Sequence, residues 1–182
     1  MLQIQPIITD AEFDDFVMRP ENRDRNFEFI AGEIVENVAT STSSRIAAKI
    51  ANRVGMYVED HKLGRVTGAD GGYIVFDEKY VPDAAFVSYT RQPKAPNVLY
   101  NPVAPDLAIE VLSPGNTDTE MSRKIGNYMA AGTVVWVADP QRKTLDVYTP
   151  QQPRHTLRVG DVLEGGAVLP GFRLAVASIF SD

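Results

Sequence analysis

Cysteine is absent from the 182 residues, and histidine occurs only twice, as His61 and His155. The first absence excludes disulfides, thiolate zinc sites and a cysteine nucleophile. The second argues against a zinc enzyme, because the two histidines lie far apart and show no metal-ligand spacing. It also leaves a Ser-His-Asp triad only two candidate bases. Any metal is therefore expected to be hard and oxygen-bound, Mg²⁺ or Mn²⁺. No apolar run approaches the roughly 20 residues that a membrane helix needs. Residues 1–6 show no basic stretch leading into an apolar one, so no secretory signal is read there and a cytoplasmic protein without membrane contact is expected. Gly64, Gly68, Gly71 and Gly72 match neither the dinucleotide-binding glycine pattern nor a P-loop. Positive charge is also short: 18 Lys and Arg face 24 Asp and Glu, a net charge of −6. Taken alone, that balance argues against non-specific nucleic-acid binding, although local distribution decides where a polyanion can sit.

The length fits one domain over residues 1–182, with a core from about residue 10 to 150 and a C-terminal stretch, 151–182, of edge strands and loops. Residues 9–18 read as a short helix with Thr9 as N-cap and Glu12 at the capping-box position. Residues 27–38 read as a hairpin around Gly32. A long helix follows, capped by Ser43 or Ser44, with Ile46, Ala47, Ile50, Val54 and Val58 at helical spacing and Gly64 closing it. Strands are expected at 65–67, 71–76 and 81–88, with Asp77-Glu78-Lys79-Tyr80 as a turn. The proline-containing stretch 90–105 reads as a loop. A buried strand at 106–112 leads to a helix at 118–131 stopped by Gly132, then to strands at 134–138 and 144–149. The expected fold class is α/β (α+β), one mixed sheet flanked by helices.

Two acids stand at the mouths of apolar runs: Asp83, before Ala84-Ala85-Phe86-Val87, and Glu110, within Leu107-Ala108-Ile109-Glu110-Val111. A carboxylate in a buried strand is costly without compensation. Alternation puts Asp106, Ala108, Glu110 and Leu112 on one face and Leu107, Ile109 and Val111 on the other. If the two strands are neighbours, Asp83 and Glu110 converge on one ion, and Mg²⁺ commonly takes one or two carboxylates. Lys124 lies early in the following helix, where a side chain can be directed back over the strand end; Arg123 points about 100° away. The alternative readings are strand-entry chemistry for Asp83, half of a structural salt bridge for Glu110 and a solvated lysine for Lys124. Arg45, Lys49 and Arg53 form a stripe on the long helix that suits either a phosphate track or a solvated face.

The order Pro82-Asp83, Glu110-Val111-Leu112-Ser113-Pro114, Arg123-Lys124, Tyr128, Ala131-Gly132 and Trp136-Val137-Ala138-Asp139-Pro140, together with the hairpin Phe27-Glu28-Phe29-Ile30-Ala31-Gly32-Glu33-Ile34, resembles the Uma-two-type restriction endonuclease family of bacteria, within the PD-(D/E)XK nuclease superfamily. The resemblance runs from about residue 10 to 150. It implies a restriction-endonuclease-like core with an N-terminal helix and hairpin. By position it implies Asp83 and Glu110 as metal ligands, Lys124 as the catalytic lysine, and Glu28 or Glu33 as an accessory acid. The sequence departs from the pattern twice. Leu112 stands where the superfamily usually has its lysine, and Ser43 or Ser44 stands where many family members have a histidine.

The reading is a Mg²⁺- or Mn²⁺-dependent endonuclease acting on DNA, expected to pair as a homodimer because cutting two strands calls for two sites. The rival reading is a catalytically quiet homodimeric DNA-binding or protein-interaction module that keeps the fold. Leu112 and the acidic balance favour the rival.

Overall fold

The computed structural model describes residues 7–181; the reading of residues 1–6 falls outside them. Four α-helices, α1 (Asp10–Val17), α2 (Ser41–Asp60), α3 (Asp118–Ala130) and α4 (Val176–Phe180), accompany thirteen strands among the described residues. The strands are β1 (Phe27–Ile30), β2 (Glu33–Glu36), β3 (Gly64–Thr67), β4 (Gly72–Val75), β5 (Glu78–Tyr80), β6 (Ala84–Ser88), β7 (Tyr100–Asn101), β8 (Leu107–Val111), β9 (Val134–Asp139), β10 (Thr144–Tyr148), β11 (His155–Arg158), β12 (Val162–Glu164) and β13 (Arg173–Ala175).

They form two mixed sheets and a small hairpin, where one sheet was expected. The main sheet runs β11-β10-β9-β8-β6-β3, the second β2-β1-β5-β4-β7, and β12 pairs with β13. The difference arises at Glu78-Lys79-Tyr80. Its polar sequence reads as a turn, yet it is a buried strand because partners elsewhere compensate its charges. Arg123 pairs with Glu78, and Lys79 reaches Asp10 at 2.8 Å and Asp14 at 2.5 Å on α1. Those pairs, with Phe13 packed on Phe27 and Phe29, fix α1 to the outer face of the second sheet.

Alternation along the main sheet divides the core. Ala84, Phe86, Leu107, Ile109, Val111, Trp136 and Ala138 face α2, which answers with Ile46, Ile50, Val54 and Val58 from one stripe. Ala85, Val87, Ala108, Val135 and Val137 face α3 and the second sheet, which supply Tyr128, Ile30, Tyr73, Val75 and Tyr80. The main sheet is thus covered on both faces, and β8, paired antiparallel with β6 and parallel with β9, sits inside it.

Helix starts follow their caps. Thr9 and Thr117 each form a capping box, with Glu12 and Glu120. The long helix begins three or four residues earlier than expected. Thr40 is its N-cap and Ser43 completes a Thr–Ser capping box as the third helical residue. Its C-terminal turn is made by Lys62, in the left-handed region at φ 54°, and Gly64 already belongs to β3. Glycine is required there because a Cβ would meet the Val87 carbonyl oxygen at 2.1 Å across the β3–β6 pair. Residues 155–180 supply an edge strand, a separate hairpin and α4. They add β11 to the main sheet and bring Leu163, Leu169, Phe172, Leu174, Val176 and Ile179 into the α2 core.

Gly64→Ala should therefore destabilise the protein by about 1–3 kcal/mol or more, the usual cost of overpacking. Gly55→Ala, mid-helix with nothing near its Cβ position, should stabilise it by about 0.5–1 kcal/mol. Urea unfolding of the two variants measures both; equal midpoints would contradict the close-approach account.

Candidate active site

The β6–β8 register pairs Ala84 with Ile109 and Ala85 with Ala108, and one further step sets Asp83 opposite Glu110. Opposed residues share a face, with Cβ atoms roughly 4.5–5.5 Å apart. Both face α3 and the second sheet. From the second sheet comes Glu28, which alternates with the outward-facing Phe27 and Phe29. From α3 comes Lys124, on the buried side with Met121 and Tyr128. Glu28, Asp83, Glu110 and Lys124 line one cavity of about 170 Å³.

Lys124 is the hub. Its Nζ donates to Glu28 Oε1 at 2.8 Å and lies 2.9 Å from Glu110 Oε1. That ion pair is the close polar contact of Glu110 Oε1, which is otherwise buried without a hydrogen-bond partner. Glu28 Oε1 also accepts the Val81 N–H at 2.6 Å, and Asp83 Oδ2 accepts the Val111 N–H at 2.6 Å. Glu28 and Glu110 are each 4% exposed and Lys124 3%, so solvent screens the group little.

Burial pushes the Glu110 carboxyl up to about 8; Lys124 opposes this, while Glu28 and Asp83 add to it. Burial likewise raises Asp83, against the Val111 N–H and Lys124. Burial acts to lower the Lys124 ammonium, but Glu110 and Glu28 outweigh it and hold Lys124 charged.

The other residues singled out in the sequence separate from this group. Glu33 is opposite Ile30 on the edge strand β2, exposed and outside the cavity. Arg123 serves Glu78 in the second sheet. Asp106 closes the far end of β8, accepting from Ser88 N at 2.7 Å and Arg91 Nε at 2.9 Å. Leu112 packs at the rim of the core near α3. Ser43, near the position where many family members have a histidine, is buried and lines the cavity. Sequence reasoning missed two further carboxylates in the lining, Glu36 and Glu120. Glu36 is paired with Arg25 and Glu120 completes the α3 capping box, so the only sequence signal for either was the local one.

Among the described residues no group of three or more His, Cys, Asp or Glu side chains is arranged to hold a metal ion. What the cavity offers is two adjacent carboxylates, Asp83 and Glu110, with Glu28 committed to Lys124 and Val81. Two carboxylates with the remaining positions left to water or phosphate suit Mg²⁺, and among the described residues the buried Glu110 Oε1 is held by its Lys124 ion pair alone.

The architecture is that of a nuclease-like α/β fold. It superposes on the crystal structure of a putative nuclease belonging to DUF820 from Anabaena variabilis ATCC 29413 with a TM-score of 0.80 and 24% identity, covering 92% of this chain and 96% of that one. That likeness establishes the fold. The family described as "Uma2: Putative restriction endonuclease" matches residues 11–177, and the chain belongs to that family. No curated protein matches it.

The raised Glu110 carboxyl has a signed consequence. Unfolded, it releases its proton near the ordinary value of 4.5; folded, near 8. Between those values the folded state holds more protons, so stability falls as pH rises through the window. Metal-free protein should lose melting temperature between about pH 5 and 8, and Glu110→Gln should flatten that slope and be at least as stable as wild type at the upper end. Thermal melts across pH test this. A clear loss of stability in Glu110→Gln at every pH would instead mark Glu110 as a structural partner of Lys124.

Proposed function

We propose that this protein is a Mg²⁺- or Mn²⁺-dependent endonuclease that hydrolyses DNA phosphodiester bonds. The carrying observation is the convergence, in one cavity, of two register-opposed carboxylates with a buried lysine that is ion-paired with Glu110 Oε1. Asp83 and Glu110 would hold the ion. Such an ion, when bound, supplies a water of lowered pKa and neutralises charge at the scissile phosphate.

The remaining work belongs to the chain. The Val111 N–H holds Asp83 in place, and its strand neighbour Glu110 is fixed by β8. Glu28, anchored by the Val81 N–H, orients Lys124 from the opposite side. An ammonium has three donors. Two face Glu28 and Glu110, leaving one to meet a phosphate oxygen as negative charge builds on it. Glu28 is therefore the accessory acid in this proposal, and Glu33 has no part in it.

The quiet-module reading has one observation in its favour: the same Lys124 pairs would serve as a buried structural ion cluster. Calorimetric titration with Mg²⁺ and Mn²⁺ separates the two, since Asp83→Ala should abolish binding seen in wild type. Lys124→Ala should keep metal affinity near wild type while lowering single-turnover cleavage of plasmid DNA by on the order of 10²–10³-fold. Nicked circles as product mean one chain acting on one strand, and linear product means a pair of chains. No metal-dependent cleavage of any DNA form by wild type would overturn the proposal.

A further inference from the structure

The acid cavity does not attract a polyanion by itself. Five carboxylates line it, Glu28, Glu36, Asp83, Glu110 and Glu120, against the one amine of Lys124. The larger groove beside it, of about 760 Å³, does no better. Its Arg142 and Arg154 are paired with Asp139 and Asp146, and Asp118 is a third acid on its wall. A substrate made of phosphates therefore needs cations elsewhere.

Charge is segregated the other way along α2. From Ser41 to Val58 this helix carries no acid, although acids outnumber Lys and Arg 24 to 18 in the whole chain. Arg45, Lys49 and Arg53 recur there at every fourth position, about 6 Å apart along the axis. All three line a groove of about 350 Å³ between α2 and α4, with no carboxylate among the described residues of its walls. Lys49 is held in place without being neutralised. Its Nζ donates to the Ser181 carbonyl and, at 3.3 Å, to the Ser181 hydroxyl, both uncharged. Arg45 Nη1 donates to the same carbonyl at 2.6 Å, which draws the two side chains together. Arg53, one turn further on, is exposed and makes no ion pair among the described residues.

The shape of the row selects its partner. It is straight and about 12 Å long, and a duplex presents roughly one negative charge per 1.7 Å of its axis, so opposite charges meet along its whole length. The larger apolar residues of the groove, Leu174 and Ile179, are buried in its floor. That leaves no apolar anchor of the kind that a membrane surface or a protein interface requires.

We infer that the α2 row grips the phosphate backbone of duplex DNA, apart from the acid cavity and without any metal. The choice of DNA rests on the nuclease reading, but the test is of binding alone. A fluorescently labelled duplex of about 30 base pairs is titrated by anisotropy in EDTA over a range of salt concentrations. With all three cations on phosphates, log K should fall against log salt with a slope of about −2.7, at about −0.9 for each. Lys49→Gln and Arg53→Gln should each take about 0.9 from the magnitude of that slope and weaken binding several-fold at low salt. Lys94→Gln removes the same charge from an exposed loop and should change neither. Arg53→Gln breaks no contact with α4, so it decides even where Lys49→Gln unsettles the fold. Four results each overturn the inference: no duplex binding by wild type at low salt, an unchanged slope in Arg53→Gln, an equal loss in Lys94→Gln, or wild type binding phosphatidylserine vesicles in place of the duplex. Binding in EDTA that follows the row, with no cleavage once Mg²⁺ is added, would sink the nuclease reading and leave this one standing. Cleavage, with Arg53→Gln binding duplex like wild type, would do the reverse.

Discussion

Lys124 is buried between Glu28 and Glu110, and much of the architecture can be understood as the means of keeping those three charges together. Each comes from a different part of the chain: β1 in the second sheet, β8 in the middle of the main sheet, and α3 between β8 and β9. A buried charge deprived of its partner costs about 3–5 kcal/mol. None of the three elements can therefore pack correctly without the other two. The second sheet is held over the first by this ion cluster as well as by Ile30, Tyr73, Val75 and Tyr80. The Val81 N–H to Glu28 contact ties the same cluster to the β5–β6 connection, one of the links between the two sheets.

The cluster is deliberately unbalanced in chemical terms. One ammonium faces Glu28 and Glu110, with Asp83 beside them. A structural ion pair would be better served by one carboxylate and full hydrogen bonding. The crowding of Glu110 by Glu28 and Asp83, which together with burial lifts its carboxyl to about 8, is a cost that a purely structural role leaves unexplained and that a cation would relieve.

Much of this was legible in the residues. Threonine caps with Glu three positions on, the spacing of Ile46, Ile50, Val54 and Val58, and strand alternation around Glu110 are local signals, and local geometry obeys them. What escaped reading depends on distant partners. Glu78 and Lys79 look like turn residues until Arg123, Asp10 and Asp14 neutralise them. Gly64 looks like a helix stop until Val87 approaches it. Glu28 and Glu33 share a face of the hairpin, so alternation cannot separate them. They differ because β1 is an inner strand and β2 an edge. Lys124 could be placed on a helix, but its burial needed Glu28 from the other end of the core.

The C-terminal strands and α4 have a consequence for how the chain acquires its structure. The stripe of α2 is completed by Leu163, Leu169, Phe172, Leu174 and Ile179, with β3 to β11 and α3 lying between them in the chain. As the polypeptide emerges from the ribosome, α2 and the strands it covers have no lid until residues 155–180 follow. During that interval a wide oily surface is open to water and to neighbouring nascent chains. Packing that joins residues so far apart in the chain is slow to form by the general rule for non-local contacts, and the surface it covers is prone to aggregate until then.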